Sequence, residues 1–458
     1  MNVLRKFALI ICLSAAFSFA AVAQTNLLTW HKADGRVDAN IQGEALLPLL
    51  KNIAVQTGWH VYLEPGTTHT VSAKFRNRPT GDALKMLFGD LNFAFVPKVN
   101  SVSQLYVFQT QMKNATHLVS AQKAKHVANE LLVKVKPGTD IKTLAKIFGA
   151  KITGQMDKYG VYRLQFPDAD STDNALAQLQ NDSDVQDVDY NYYFDQPTTA
   201  QEVSSTASGA LSLTLDPPPS NGKVIVGLID TSVDAQSLGS DAAQFILSQI
   251  NVADGTTSDS GPTHGTAMAA QILQAVQNIQ TTMGNNSTSL QIQPVNVYGS
   301  NPTTTSWDVA QGIQAAVNAG ATFLSMSLGS SGDSSVLDAV VAQAASDGIT
   351  MFAAAGNTPT GEPYYPAADS GVYAITALGQ SVVGQPAELA SYANTWDDPT
   401  MMALPGTGEF NYDGESWVVQ GTSTSTATAA GVFGTYLLNG WTPSRIVTGM
   451  ANKFPVPK

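Results

Sequence analysis

The sequence contains one cysteine, Cys12, and after its first 25 residues no run that is apolar and long enough to cross a membrane. A single cysteine cannot form an intramolecular disulfide, so apolar burial has to stabilise the fold. Basic residues are scarce in the second half: from Asn221 onward there are four, against seventeen acidic residues, which gives a net charge of −13. This charge argues against nucleic acid or an anionic membrane as the partner of that half.

The start of the chain carries a targeting pattern. Two basic residues precede an apolar run over residues 7–19, and small residues follow at Ala21 and Ala23. This pattern predicts a secretory signal peptide, residues 1–23, and hence a secreted or periplasmic protein. A retained membrane anchor is the alternative, although the run is short for a bilayer span. Cys12 lies inside the signal, so the mature chain would have no thiol.

A chain of 458 residues has room for roughly two to four domains, and a small α+β segment comes first. In residues 24–112 a helical apolar stripe, ended by Gly58, is followed by strand-like runs and a second short helix. The phrases "QTGWHVYLEPG" and "RPTGDALKMLF", in that order, resemble the short N-terminal domain of secretins and TonB-dependent receptors. The resemblance implies a partner in the cell envelope, bound through residues 27–111. From the residues alone, the segment is a small module without a catalytic cluster.

The second segment, residues 128–195, has the order strand, helix, strand, helix, strand, which predicts a small sheet with two helices on one face. Its phrases "NELLVKVKPGTDIKTLAKIFGAKI" and "VDYNYYF" resemble the propeptides of subtilisin-like proteases. The resemblance implies an intramolecular inhibitor and folding assistant; a small binding module is the alternative. Residues 196–222 are rich in Ser, Thr and Pro, which predicts a flexible linker suited to a processing cut.

In the third segment, residues 223–458, apolar strands end at polar residues. Asp230 ends the strand in "KVIVGLIDTSVD", and Asn357 follows the strand in "TMFAAAGNTP". Active groups of α/β folds gather at the carboxyl ends of strands. His264, in "PTHGTAMAA", precedes a small-residue helix, and Ser423, in "GTSTSTATAAG", heads another. Unpaired amides and the dipole at such a helix start favour a developing oxyanion.

The four motifs occur in the order Asp, His, Asn, Ser, separated by 34, 93 and 66 residues. In this order and spacing they resemble the subtilisin-like serine proteases, and "SMSLGS" resembles the strand that lines their substrate cleft. The resemblance implies an α/β fold, with a parallel sheet and flanking helices behind two small α+β domains. It also implies a secreted serine endopeptidase made as a zymogen, with protein or peptide substrates and no cofactor.

The resemblance assigns roles to individual residues. Ser423 would attack the scissile carbonyl, His264 would carry the proton, and Asp230 would orient the imidazole. Asn357 would hold the oxyanion together with the Ser423 backbone amide. The substrate-binding positions would be Ser327, Leu328, Gly329, Ala355, Gly356 and Tyr364.

Some positions around these residues depart from the family pattern. They are Ser232, Ala267, Ala270, Ala427 and Thr428, and none of them removes a group that transfers a proton or stabilises charge. The helix after His264 lacks the asparagine- and glycine-rich loop that holds calcium in many relatives. We therefore expect no calcium site, and the sequence shows no other metal-ligand motif.

Tyr364 precedes Tyr365–Pro366, where relatives commonly have a small residue at the base of the specificity pocket. If its ring fills the pocket, the residue before the scissile bond should be small. If the ring turns outward, the pocket stays open, and the sequence does not decide between the two.

Two other functions fit the sequence. A non-catalytic scaffold would keep the fold and bind peptides in its cleft. An envelope-associated signalling component would act through residues 27–111. Because all four catalytic positions are filled, the sequence favours the enzyme.

Overall fold

A computed structural model of the chain describes residues 27–457 except 32–34, 65–66, 98–102, 116, 120–124, 204–212, 217, 219–223, 256–260, 285–287 and 381–383. The predicted signal peptide, residues 1–23, lies outside the described residues. The chain divides into two compact units, residues 1–121 and 122–458. Among the described residues, no helix combines the length and apolarity that a membrane span requires.

The first unit is built from short strands and two helices in its described part. Its elements are β1 (Leu27–His31), β2 (Arg36–Ala45), α1 (Leu46–Thr57), β3 (His60–Leu63), β4 (Thr70–Pro79), α2 (Thr80–Phe88), β5 (Asn92–Val96), β6 (Gln104–Phe108) and β7 (His117–Val119). They form one sheet of order β1-β2-β4 and another of order β5-β6-β3-β7. Gly58 ends α1 with a left-handed backbone, φ 74°, as its position after the apolar stripe predicts. The sequence analysis misses β1 and β2, although the first part of β2 alternates partly exposed and buried residues as a half-buried strand does.

Residues 126–195 form what we call the small module. Its elements are β8 (His126–Val135), α3 (Ile141–Ile147), β9 (Lys151–Met156), β10 (Val161–Gln165), α4 (Ala169–Leu179) and β11 (Val185–Asp195). The strands pair antiparallel in the order β11-β8-β10-β9, and both helices pack in one core on the sheet. The sequence analysis does not predict the strand β9, because its sequence is mostly polar and lacks an apolar strand pattern.

The parallel-sheet domain, residues 224–457, follows a short strand, β12 (Gln201–Glu202). Its strands are β13 (Val224–Asp230), β14 (Ile250–Asn251), β15 (Leu290–Asn296), β16 (Thr303–Thr305), β17 (Phe323–Met326), β18 (Thr350–Ala354), β19 (Val372–Leu378), β20 (Met402–Pro405), β21 (Thr407–Tyr412) and β22 (Glu415–Gln420). Its helices are α5 (Ser240–Ala243), α6 (His264–Thr282), α7 (Ser306–Asn318), α8 (Ser335–Ser346), α9 (Thr422–Leu438) and α10 (Pro443–Lys453).

The central sheet has the order β14-β15-β13-β17-β18-β19-β20, and every pair in it is parallel. Successive residues of a strand face opposite sides of the sheet and pack in two different apolar cores. Leu228 and Phe323 pack with α6, α9 and α10, whereas Ile229 and Leu324 pack with α7 and α8. A sheet covered on both faces requires apolar residues at consecutive positions, which explains the continuous apolar strands. The predicted α/β fold class is confirmed.

The small module packs on the α7 and α8 side of the domain. Leu132, Met156 and Phe194 of the module belong to the same apolar core as these helices. In addition, the end of β11 pairs antiparallel with β16, from Tyr193 opposite Thr305 to Asp195 opposite Thr303. The module's sheet thus continues onto the domain.

Part of the predicted flexible linker is ordered against the domain. The strand β12 pairs antiparallel with β22, and Ala200 and Leu215 are buried in the core that contains α6 and α9. Residues 196–203 and 213–216 of the predicted linker therefore include segments placed against the domain. Ala200 and Leu215 hold these segments in place by their burial. The sequence does not indicate this, because Ser, Thr and Pro residues surround the two apolar positions.

Candidate active site

Asp230 and His264 form a buried polar pair at the carboxyl edge of the sheet. Asp230 is the last residue of β13, and His264 is the first residue of α6. His264 Nδ1 lies 2.8 Å and 3.0 Å from the two carboxylate oxygens of Asp230. The two side chains are 2% exposed for His264 and fully buried for Asp230. Because water is excluded, the carboxylate acts strongly on the imidazole.

Two threonines hold this pair in place. Thr231 N donates to Asp230 Oδ1 at 2.7 Å, and Thr231 Oγ1 accepts from Gly265 N at 2.8 Å. Thr263 caps α6, because its Oγ1 accepts from Thr266 N at 3.2 Å. A side chain at position 265 would collide with the Thr231 carbonyl oxygen. Glycine therefore lets the start of α6 approach β13.

Ser423 lies in the first turn of α9 and is 5% exposed. Its Oγ donates to the Ser327 carbonyl oxygen at 3.2 Å, and Ser327 Oγ donates to the Ser423 carbonyl oxygen at 3.2 Å. These bonds join the start of α9 to the segment that follows β17. In this conformation, the Ser423 hydroxyl is hydrogen-bonded to the Ser327 carbonyl oxygen.

Asn357 follows β18 and is bonded to the residue before Ser423. Its Oδ1 accepts from Thr422 N at 2.8 Å and from Thr422 Oγ1 at 2.9 Å. Thr422 Oγ1 also accepts from Gly356 N at 3.2 Å. With its oxygen engaged, the Asn357 amide has its NH₂ group available for another acceptor. The sequence analysis misses this role of Thr422, although the residue directly precedes Ser423 in the motif.

The predicted substrate-binding positions divide into two groups. The side chain of Leu328 is buried in the core with α7 and α8. The backbone of Ala355 is used inside the domain, because its N–H donates to Ile375 and its carbonyl oxygen accepts from Asn394 Nδ2. These two positions support the walls of the site, whereas Ser327 contacts Ser423 itself.

The ring of Tyr364 lies between the chain segments that follow β17 and β18. It lies close to both Gly329 and Gly356, because a side chain at either glycine would meet the Cδ1 and Cε1 atoms of the ring. Burial raises the pKa of the Tyr364 hydroxyl, so the phenol stays neutral. The ring therefore takes up space between the two segments that flank Ser423.

Asn394 is a second residue that the sequence analysis misses. Its Nδ2 donates to the carbonyl oxygens of Ala355 and Glu362, both at 2.9 Å, and its Oδ1 accepts from Gly361 N at 3.0 Å. The buried amide braces the loop after β18 on which Asn357 sits. No motif marks it, since its partners are backbone groups about 30 to 40 residues earlier in the chain.

The structure places Asp230, His264, Asn357 and Ser423 together at the carboxyl edge of the parallel sheet, where α/β folds bind their ligands. The predicted absence of a metal site remains an expectation. Among the described residues, no group of His, Asp or Glu side chains is arranged to hold a metal ion.

Comparison with protein-family models gives two matches. The model of the subtilase family matches residues 221–450, and the model of the fervidolysin N-terminal prodomain matches residues 113–191. The thermostable alkaline protease of Halalkalibacterium halodurans is 33% identical over 213 residues, which cover 45% of this chain and 55% of that protein. Alkaline elastase YaB of a Bacillus species is 29% identical over 270 residues, 58% of this chain and 65% of that protein. The chain thus spans less than two thirds of the length of either relative.

Solved structures agree on the fold. Fervidolysin from Fervidobacterium pennivorans, a keratinolytic enzyme related to subtilisin, superposes with a TM-score of 0.56 at 16% identity, covering 73% of this chain and 58% of that one. The epidermin leader peptide processing serine protease of Staphylococcus aureus gives a TM-score of 0.51 at 17% identity, covering 70% and 92%. The fold is subtilisin-like, and since the subtilase model matches half of the sequence, the chain belongs to the subtilase family.

Proposed function

We propose that the chain is a serine endopeptidase that hydrolyses protein or peptide substrates through an acyl-enzyme. The observation that carries the proposal is the buried contact of Asp230 with His264 at the sheet edge where α9 begins with Thr422 and Ser423. A non-catalytic peptide scaffold has no use for such a pair, because burying a carboxylate beside an imidazole costs free energy. Membership of the subtilase family supports the same conclusion.

In the proposed mechanism, Ser423 Oγ attacks the scissile carbonyl carbon while His264 Nε2 takes the hydroxyl proton. The Asp230 carboxylate accepts a hydrogen bond from the Nδ1–H group of His264, and its negative charge stabilises the imidazolium. His264 then gives the proton to the leaving amine, and water repeats the sequence to release the acid and restore Ser423. The Ser423 hydroxyl has to turn from Ser327 toward His264, and catalytic hydrogen bonds often tighten only when substrate is bound.

The oxyanion would be held by Asn357 Nδ2 and the Ser423 backbone amide. Thr422 fixes the orientation of the Asn357 amide through its oxygen, so the NH₂ group is set before substrate arrives. Donors that need no reorganisation during the reaction stabilise developing charge most strongly. Thr422 is a positioning residue in this mechanism.

We propose further that the small module is an intramolecular inhibitor and folding assistant. Asp189 Oδ2 accepts from Ser335 N at 2.9 Å at the start of α8. Asn191 Oδ1 accepts from Trp307 N at 3.1 Å at the start of α7. A cap of this kind typically contributes about 1 kcal/mol to helix stability. Two alternate residues of β11 therefore stabilise two helices of the domain.

The chain after the small module supports the inhibitory role. Gln196 N donates to the Pro302 carbonyl oxygen at 2.8 Å, which extends the pairing of β11 with β16. Five residues later, β12 pairs with β22, the strand that leads into the turn before Ser423. Residues 196–200 thus connect β11, which is paired with β16, to β12, which is paired with the strand that precedes Ser423. This supports the proposal that the chain passes the site as a substrate would.

The test is a comparison of the full-length wild type with Ser423→Ala by mass spectrometry and N-terminal sequencing. We expect the wild type to be cut once within residues 196–201, because pairing holds the chain on both sides of that stretch. The Ser423→Ala chain should stay intact. Equal masses for the two proteins would contradict autoprocessing, and a cut in residues 204–222 alone would contradict the placement of the chain at the site.

We propose that the protein is secreted or periplasmic. We also propose that its first unit binds a partner in the cell envelope. The support is the resemblance of residues 27–111 to the secretin and TonB short N-terminal domain. Deletion of residues 27–111 should release the protein from envelope fractions in sedimentation assays, while peptide hydrolysis is kept. Equal retention of the deleted and full-length proteins would contradict this role.

A further inference from the structure

Several carboxylates gather where the small module meets the start of α8. Asp189 of β11 caps the helix through Ser335 N, which is favourable because a helix N-terminus attracts negative charge. Asp187 lies two residues earlier on the same strand, Asp333 lies just before α8, and Asp338 lies in its first turn. This interface therefore combines acidic side chains of the module with acidic side chains of the domain.

Asp369, in the loop before β19, completes this interface carboxylate group. It is 7% exposed, and neither of its oxygens has a hydrogen-bond donor in the described part of the chain. One oxygen of its neighbour Asp338 is also buried without a donor there. Two ionised carboxylates cannot lie side by side out of water, so the pair has to hold a proton between them.

Few cations face the interface carboxylate group. Lys134 of β8 lies opposite Asp187 in the strand register. The phenols of Tyr192, on β11, and Tyr365 border Asp333 and have their own pKa raised by burial. Other charged groups of the interface lie farther away. Glu130, Asp308 and Arg163 lie near α7. Lys158 and Asp347 form an ion pair at 3.4 Å at the far end of α8.

The docked state accordingly favours protonated carboxyls. Burial raises the pKa of Asp189, and burial together with the charge of Asp333 raises the pKa of Asp338 to about 6. Burial and the neighbouring Asp338 also raise the pKa of Asp369. Undocking would remove Asp187 and Asp189 and readmit water to the start of α8, which lets Asp189 and Asp338 ionise at lower pH. The raised pKa of Asp369 comes from its own burial and from Asp338 and Asp333 within the domain.

We propose that docking of the small module on α8 takes up protons, so that the module is held at acidic pH and loosens as the pH rises. A carboxyl whose pKa is raised in the docked state favours docking fully below its ordinary pKa of about 4. That advantage is lost progressively as the pH rises from there through about 6, the value for Asp338. An inhibitor docked in this way would be retained in acid and released toward neutrality.

Hydrogen exchange on the full-length Ser423→Ala protein tests the proposal without any need for catalysis, so it stands apart from the proposed peptidase activity. Rates at several values between about pH 5 and pH 8 are divided by the intrinsic exchange rates, and β13 serves as the internal reference. We expect protection of β11 and the first turn of α8 to fall about tenfold relative to β13 over this range. Adding Asp338→Asn should reduce the change to less than about twofold.

Two further variants complete the design. Asp397→Asn removes an exposed carboxylate of the same domain and should leave the tenfold change intact. Asp333→Asn, at an exposed position beside the interface carboxylate group, should reduce the change if Asp338→Asn does not fold. Protection of β11 that is independent of pH would overturn the proposal, as would an unchanged pH dependence in folded Asp338→Asn or Asp333→Asn.

Discussion

Replacement of Ser423 with alanine is expected to lower kcat for peptide hydrolysis about 10⁶-fold, while leaving the fold intact. The change removes the atom that forms the acyl bond. It breaks one hydrogen bond, from Ser423 Oγ to the Ser327 carbonyl oxygen, and the reciprocal bond from Ser327 remains. Hydrolysis of a chromogenic peptide by processed wild-type enzyme and by the variant, cut at the same position with an added protease, measures the effect.

Ser425→Ala is the matched control, two residues along the same helix. Ser425 Oγ is buried and donates to the carbonyl oxygens of Leu404 and Pro405 at 3.0 Å and 3.1 Å. Its loss removes a similar number of contacts without touching Ser327 or His264. We expect it to change kcat less than about tenfold, with a stability loss of about 1 kcal/mol. Equal hydrolysis by Ser423→Ala and wild type would contradict the role of Ser423 as the nucleophile, and absence of hydrolysis by both would favour the non-catalytic scaffold.

The four main site positions could be predicted because each belongs to a local motif at a strand end or helix start. Asp230 ends an apolar strand, and His264 and Ser423 stand before runs of small residues that allow close helix packing. The structure joins Asp230 to His264 and Ser423 to Ser327 by direct hydrogen bonds. Their assigned chemical roles stay predictions until the variants are measured.

Residues that act through the backbone could not be predicted in the same way. Asn394 braces the loop after β18 by bonding to carbonyl and amide groups that any residue would supply, so its partners leave no sequence pattern. The ordering of residues 200–203 depends on pairing with β22, a strand that the sequence analysis does not identify. Strand pairing between distant segments is decided by tertiary position, which local composition does not report.

The small module and the chain after it are held on the domain by two kinds of contact, backbone pairing and ionisable side chains. Pairing of β11 with β16 and of β12 with β22 is made by backbone groups and does not respond to pH. The contact of β11 with α8 depends on ionisable side chains. A rise in pH would therefore loosen the module while the chain beyond Gln196 stays paired, so that release would require both the cut and a change in protonation.

Replacement of Tyr364 with glycine is expected to change which substrates are cleaved. In the wild type, the ring occupies the space between Gly329 and Gly356 beside Ser423, so a substrate residue placed there has to be small. An aromatic ring fills roughly the space of another aromatic side chain, and it buries about 150–250 Å². We expect the ratio of kcat/KM for phenylalanine to that for alanine, before the scissile bond, to rise about 100-fold in Tyr364→Gly.

Two peptides that differ only at this position measure the ratio within one protein preparation, so partial unfolding of the variant cancels. Tyr364→Phe is the control, because it keeps the ring and removes only the hydroxyl, and it should keep the wild-type preference for alanine. A wild type that prefers phenylalanine would show that substrate does not enter between Gly329 and Gly356, or that the ring moves aside. Tyr364→Phe shows whether the hydroxyl contributes to the preference. A ring that moves aside would do so with or without the hydroxyl, so both proteins would then prefer phenylalanine.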